Sequence, residues 1–186
     1  MAVTDRTMTL EEFLKLPEDE PALEFEDGEV TQKVSPKGRH SVLQVRFVQA
    51  LNAVLEPRKL GFAFSELRAT YSGRSLVPDV VVYRWDRIPR DAAGVVEDNF
   101  YEPPDVAIEI VSPEQSVNRL IRRCRQFNEN GVLVALLVDS SDQSVIEFRQ
   151  NAEPRPLTGD DQIDLEDVAP GFRLTVRELF ASLRLV

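Results

Sequence analysis

The stretch "PPDVAIEIVSPEQSVNRLIRRCRQFNENGVLVALLVD", residues 103–139, decides the fold of this chain of 186 residues. Its apolar runs at 105–111 and 132–138 predict buried strands, and the segment between them predicts a helix that ends before Gly131. The apolar stripe of that helix comprises Leu120, Cys124 and Phe127. Because two strands joined by a helical crossover form a βαβ-like unit, the sequence predicts a mixed α/β fold.

A carboxylate stands in the middle of the first of these strands. Glu109 lies between two isoleucines, where an unpaired charge is costly to desolvate. In "SLVPDVVVYRW", residues 75–85, Asp79 follows a proline at the head of another apolar run, as Asp105 does in its own strand. Carboxylates on neighbouring strands can converge on Mg²⁺ or Mn²⁺. The alternative is that Asp79 and Asp105 simply begin their strands.

Three further groups are candidates for a site near these acids. Arg123 shares a helix face with the apolar stripe, so its guanidinium can reach the sheet beside Glu109, or its stem can pack while its head reaches solvent. Arg119 and Arg122 lie on the same helix and are solvated or face phosphates. His40, the single histidine, is either structural or a phosphate contact or proton carrier.

The rest of the chain gives local signals of secondary structure. Thr9 followed by Glu12 predicts a capped helix, and Asp27-Gly28 between two alternating runs predicts a β-hairpin. The chain then continues with a helix that has a core stripe, two strands, a long loop, and short strands with a last helix. The stripe is Val42, Val45, Val48, Leu51 and Leu55, the strands lie near 62–71 and 76–84, and the loop spans 85–104.

Composition bounds the class of protein. At 42% hydrophobic and 29% charged residues, the chain has the composition of a soluble globular protein of one domain. Its single cysteine excludes an intrachain disulfide and the Cys-rich zinc patterns. The first residues have neither the basic start nor the apolar run of a signal peptide, so we expect a bacterial-type cytoplasmic location.

The charge is uneven along the chain. The net charge of −10 argues against nucleic acid as a partner, but the acidic excess lies at the two ends. Residues 31–150 hold 15 acids and 16 bases. A DNA-binding surface in this central part is therefore neither supported nor excluded by composition.

Six short motifs, in order, resemble the Uma-two family of bacterial proteins classed as endonucleases. They are "LEFEDGEV", "SPKGRHS", "SELRATYSG", "LVPDVVVY", "PPDVAIEIVSP" and "NENGVLVALLVD". The resemblance implies a restriction-endonuclease-like fold of the PD-(D/E)XK superfamily, a mixed sheet flanked by helices with an N-terminal hairpin extension. We expect one domain over 1–186, with a helix and hairpin at 1–37, a nuclease-like core at 38–150, and C-terminal strands and a helix at 151–186.

The resemblance also implies roles for individual residues. Asp79 and Glu109 stand where the superfamily binds Mg²⁺, for which Mn²⁺ can substitute, to hydrolyse phosphodiester bonds of DNA. The superfamily's lysine would fall at Val111, and relatives carry it on the following helix, where this chain has Arg123. The family also favours residues at the positions of Glu24 and His40, which we expect at the rim of the cleft.

Two functions of different classes follow from these residues. One is a metal-dependent DNA endonuclease with Asp79 and Glu109 as ligands, Arg123 stabilising the phosphate, and Arg119 and Arg122 binding substrate. The other is a catalytically inactive nuclease-fold module that binds nucleic acid or a protein partner. We expect a homodimer, the symmetry that suits cleavage of two strands.

Overall fold

A computed structural model describes residues 8–113 and 115–184. The helices are α1 (Leu10–Phe13), α2 (Gly38–Leu55), α3 (Val117–Glu129) and α4 (Val176–Ala181), with a short 3₁₀ helix at Trp85–Arg87. The strands are β1 (Leu23–Glu26), β2 (Glu29–Gln32), β3 (Gly61–Ser65), β4 (Ala69–Tyr71), β5 (Arg74–Leu76), β6 (Val80–Arg84), β7 (Val106–Ile110), β8 (Val134–Asp139), β9 (Ser144–Arg149) and β10 (Arg155–Thr158). None of the helices described is long and apolar enough to cross a bilayer.

Six strands form the larger sheet, in the order β10-β9-β8-β7-β6-β3. β7 and β8 pair in parallel and the other pairs are antiparallel, so the predicted βαβ crossover and the mixed sheet are confirmed. Every residue of β7 is buried, because helices cover both faces of the sheet at this point. Glu109 is therefore held inside the protein by the strand itself.

The helix α2 packs on one face of this sheet. Its buried apolar residues are Leu43, Phe47, Leu51 and Leu55. The predicted stripe was right for the last two and wrong for Val45, whose residue surface is 53% exposed. A stripe through residue 45 and one through residue 43 both fit helical spacing, and the bulk of Phe47 settles the choice because it gains most from burial.

The helix α3 covers the opposite face. Leu120, Cys124 and Phe127 are buried against it, so the predicted stripe is confirmed and Cys124 is a packed core thiol. Gly131 has φ of 104° just beyond the helix, a left-handed conformation that glycine adopts without strain.

A smaller antiparallel sheet has the strand order β2-β1-β5-β4. The hairpin of β1 and β2 turns through Asp27 (φ 52°) and Gly28 (φ 86°), which confirms the predicted Asp-Gly turn. The strands expected over 62–71 and 76–84 were wrong as continuous strands. In each segment the first and last residues belong to different sheets. The segment 62–71 is interrupted at Glu66, whose φ is 51°.

Close packing at the edge of the larger sheet makes Gly61 necessary. A Cβ atom at Gly61 would lie 2.5 Å from the backbone oxygen of Tyr83 on β6. We expect Gly61→Ala to lower the free energy of unfolding by about 1–3 kcal/mol, since the strands must separate to admit the methyl group. The matched control is Gly38→Ala, where no atom lies within 4 Å of the added carbon. Urea denaturation of both variants tests this, and equal stabilities would contradict it.

Candidate active site

The two sheets meet where the predicted acids lie. Asp79 immediately precedes β6, and Glu109 is the fourth residue of β7. The register pairs Val80 with Ile108, which brings positions 79 and 109 opposite each other on adjacent strands. The strand adjacency predicted for this pair is confirmed. The backbone N–H of Ile110 donates to Asp79 Oδ2 at 2.7 Å, so the aspartate is fixed to the strand that carries Glu109.

Asp79 is 2% exposed and lies beside a lysine and a histidine. Lys33 Nζ lies 2.6 Å and His40 Nε2 lies 3.2 Å from its Oδ1. Burial by itself would raise the pKa of Asp79, but His40 and Lys33 outweigh it and hold that pKa below its usual value. His40 Nδ1 is in turn 3.1 Å from Ser112 Oγ, which orients the ring.

Glu109 has much weaker support for its charge. Its Oε1 lies 2.8 Å from Arg123 Nε, but the two atoms are not aligned for a hydrogen bond and Oε1 accepts none. Burial raises the pKa of Glu109 to about 8, and the negative charge of Asp79 adds to the rise while Arg123 opposes it. A fully buried carboxylate oxygen is thus left without a hydrogen-bond donor.

Arg123 joins the two sheets. Its Nη1 donates to Glu24 Oε2 at 2.7 Å and its Nη2 donates to Glu24 Oε1, a two-pronged pair, while its Nε lies beside Glu109. The guanidinium also lies over the ring of Phe127, 5.6 Å from the centroid. The prediction that the head group points toward Glu109 and not into bulk solvent is confirmed.

Glu24 and His40 are not at the rim of the cleft, where they were expected. Glu24 is 4% and His40 is 5% exposed. Glu24 is drawn inward because its Oε1 also accepts the backbone N–H of Val77 at 2.7 Å. His40 lies in the first turn of α2, on the side that faces the sheet, so its ring contacts Asp79.

Lys33 is the residue that the sequence analysis missed. It directly follows β2, 46 positions from its partner Asp79, and its side chain is only 10% exposed. Burial by itself would lower the pKa of Lys33, but attraction to Asp79 and Glu109 outweighs it and raises that pKa. Nothing in the local pattern "VTQKVSP" marks this lysine, because all the neighbouring side chains are half-buried or exposed.

We call Glu24, Lys33, His40, Asp79, Glu109 and Arg123 the charged cluster. It holds three carboxylates against two permanent cations, so one negative charge is not balanced unless a proton or a further cation is present. Glu109 is the member with the weakest pairing, so burial raises its pKa and Arg123 does not offset the rise.

The cluster has the donor atoms for a hard cation. Within residues 8–113 and 115–184, no group of three or more histidine, cysteine, aspartate or glutamate side chains could hold a metal ion. Mg²⁺, however, is commonly bound by one or two carboxylates, with water and phosphate completing the shell. Glu109 Oε1 accepts no hydrogen bond, although it is ion-paired with Arg123, and its place on the strand adjacent to Asp79 fits that kind of site.

An open cavity of about 290 Å³ leads to the cluster between the hairpin and α3. Its lining includes Glu24, Lys33, Glu109, Arg119 and Arg123. Arg119 donates to Thr31 Oγ1 at 3.3 Å across its mouth, and Arg122 lines an adjoining depression of about 380 Å³. The two predicted substrate-binding arginines are therefore exposed at the entrance, on the side from which a phosphate would approach.

Two other features lie outside this arrangement. A larger cavity, of about 530 Å³, lies on the far side of Lys33 and is lined with acids that repel phosphate, namely Glu18, Asp19, Glu20, Glu66 and Asp98. Asp105 lies at the opposite end of β7, where its carboxylate accepts from Arg87 at 2.7 Å and from the backbone N–H of Arg84 at 2.8 Å. Asp105 therefore begins its strand as a structural residue.

Comparisons with known proteins identify the family of this chain. The model of the Uma2 (Uma-two) family, described as "Putative restriction endonuclease", matches residues 10–177. A crystal structure of "a putative nuclease belonging to DUF820 from Anabaena variabilis ATCC 29413" is 36% identical with a TM-score of 0.92, covering 95% of this chain and 99% of that chain. A cryo-EM structure of a DrdV–DNA complex matches at 14% identity and a TM-score of 0.42, over 80% of this chain and 12% of that chain, which is too slight a likeness to support an inference. No curated protein matches the sequence.

The first prediction from this geometry concerns Arg123. Arg123→Ala leaves Glu24 and Glu109 buried without their cation, so we expect a loss of about 3–5 kcal/mol in the free energy of unfolding. Arg122→Ala, on the exposed face of the same helix, is the control and should change stability by no more than about 0.5 kcal/mol. Urea denaturation at pH 7 measures both, and equal values for the two variants would show that the pairs contribute nothing.

The second concerns the pH dependence that Glu109 imposes. Its folded-state pKa of about 8 lies above its ordinary value of 4.5, so the folded protein holds an extra proton between them and loses stability as the pH rises through this range. Glu109→Gln removes that loss. We therefore expect the variant to gain stability relative to the wild type between pH 5 and pH 8, measured by urea denaturation in EDTA. Glu129→Gln, at an exposed position, should show no such gain. If the difference in the free energy of unfolding between Glu109→Gln and the wild type stayed constant from pH 5 to pH 8, Glu109 would be ionised throughout that range.

Proposed function

The chain belongs to the Uma2 family, and from that premise we propose that it is a metal-dependent endonuclease that hydrolyses phosphodiester bonds of DNA. The observation that carries the proposal is the buried Glu109 Oε1, which accepts no hydrogen bond although Arg123 Nε lies 2.8 Å away, and which lies on the strand adjacent to Asp79. A carboxylate oxygen in this state is a ready ligand for a cation.

Asp79 and Glu109 would hold Mg²⁺, and Mn²⁺ could replace it because both ions take oxygen ligands. The ion supplies polarisation of a phosphate oxygen and a more acidic water. Around it, His40 and the backbone N–H of Ile110 keep Asp79 in place. Arg123 keeps the carboxylate of Glu109 in place from the other side.

Arg123 acts in this proposal as a positioning residue. Its guanidinium is 11% exposed and is already committed to two carboxylates, so it steadies the ligands and does not contact DNA. The backbone phosphates of DNA are instead bound by Arg119 and Arg122 at the entrance of the cavity. Cleavage of both strands needs two such sites, which a homodimer supplies.

The second candidate is a catalytically inactive nuclease fold that binds nucleic acid or a protein. The favouring observation is that Asp79, the first acid of the proposed metal site, is already paired with Lys33 at 2.6 Å. An internal cation in that position would make metal binding unnecessary for the stability of the site. The two candidates differ in one measurable property, cleavage of DNA that depends on a divalent ion.

Cleavage of supercoiled plasmid DNA in Mg²⁺ or Mn²⁺ tests the proposed function. We expect Asp79→Asn and Glu109→Gln each to lower the cleavage rate by about 10²–10³-fold or more, because each removes a charge that holds the ion while keeping the side-chain shape. The control is Asp105→Asn, which alters a buried acid at the other end of β7 and should cost stability without lowering the rate of the folded protein. A wild-type protein that cuts in neither ion would favour the inactive module, and unchanged cleavage by Glu109→Gln would reject the assigned site.

A further inference from the structure

We propose that Lys33 is the catalytic lysine of this site, carried by the N-terminal hairpin and not by the strand or the helix that follows Glu109. This proposal rests on the proposed function. When the divalent ion binds, the ammonium group of Lys33 leaves Asp79, and the ammonium group then contacts the reacting phosphate. The hairpin extension is then part of the active site and not an appendage to it.

The position of Lys33 is fixed by the hairpin. Its backbone N–H donates to Ala22 O at 2.9 Å, which holds the residue at the open end of β1 and β2. From there the side chain passes between the two sheets, and Nζ lies 2.6 Å from Asp79 Oδ1. A permanent cation is therefore delivered to the two acids from a distant part of the sequence.

Lys33 and Arg123 differ in their freedom to act on a substrate. Arg123 is held by Glu24 on two nitrogens, by Glu109 on a third and by the ring of Phe127. Lys33 has one short contact, with Asp79, and a flexible four-carbon stem that carries a compact charge. Of the two cations in the charged cluster, Lys33 is the one that can move without breaking the junction of the sheets.

The contact with Asp79 places the ammonium where a metal ion would bind. A divalent ion held by the carboxylate of Asp79 would repel the ammonium, so the two would compete for this carboxylate. The displaced group has room, because Lys33 lines the site cavity of about 290 Å³ on one side and the cavity of about 530 Å³ on the other. Arg119 also lines the site cavity, so movement into this cavity brings the ammonium toward the bound phosphate.

Metal binding gives the first test, with the full-length chain and no DNA. We expect Lys33→Met to bind Mn²⁺ about tenfold more tightly than the wild type or better by calorimetry, since the competing cation is gone. The matched control is Lys59→Met, the same change at an exposed lysine beyond α2, which should leave Mn²⁺ affinity unchanged. Affinity of Lys33→Met equal to or weaker than that of the wild type, including no binding by either, would overturn the displacement of Lys33.

Chemical restoration of the side chain gives the second test. Cys124 is buried, so Lys33→Cys introduces the one accessible thiol among residues 8–113 and 115–184. Its thiolate displaces bromide from 2-bromoethylamine and forms a side chain that closely matches lysine. We expect cleavage in saturating Mn²⁺ to fall by about 10²–10³-fold in Lys33→Cys and to recover after alkylation. Full activity before alkylation, or no recovery in a protein that remains folded by circular dichroism, would reject Lys33 as the catalytic lysine.

These outcomes separate the inference from the function on which it rests. If Asp79→Asn abolishes the cleavage seen in the wild type and Lys33→Cys does not, the proposed endonuclease function stands. Lys33 then has no part in its mechanism. A wild type without cleavage would reject the endonuclease. In that case tighter Mn²⁺ binding by Lys33→Met would still support displacement from Asp79, and unchanged binding would count against it.

Discussion

The structure depends on one constraint, that a buried guanidinium and the carboxylates around it must neutralise one another. Arg123 extends from α3 and pairs with Glu24 on the smaller sheet and with Glu109 on the larger. Neither sheet by itself provides the second carboxylate. The junction between them therefore exists where this arginine can be satisfied from both sides, and the hairpin that carries Glu24 also brings Lys33 to Asp79. The junction of the two sheets and the candidate site therefore share the same ion pairs.

Local pattern predicted the parts of this arrangement whose cause is local. The crossover from β7 to β8 followed from two apolar runs around an amphipathic helix, and the family resemblance gave the fold class. Glu109 was conspicuous because apolar residues flank it, and Arg123 because it falls beside the stripe that faces the sheet. In each case burial of the neighbours determines where the charged group lies.

The missed or wrong assignments have non-local causes. The run at 62–71 alternates like one strand, but the chain turns at Glu66 and continues in a different sheet. Lys33 resembles a surface lysine in its own neighbourhood, and only the folding of the hairpin onto the core gives it a buried partner. Glu24 and His40 were placed at the rim by resemblance to a family. Their burial depends on Val77 and Asp79, which the sequence does not mark as partners.

The energetic cost of the charged cluster bears on what it is for. Buried ion pairs are commonly no more stabilising than apolar side chains of similar size, because each charge must first be stripped of water. A fold that needed only to join two sheets could do so with the kind of apolar contact that Leu120 and Phe127 already make. Instead the junction holds three carboxylates against two permanent cations, with one oxygen of Glu109 lacking a donor and an open cavity beside it. An arrangement of three carboxylates and two permanent cations must take up a proton or a further cation, and next to an opening lined with arginine it is better explained by binding of a cation and a phosphate than by stability.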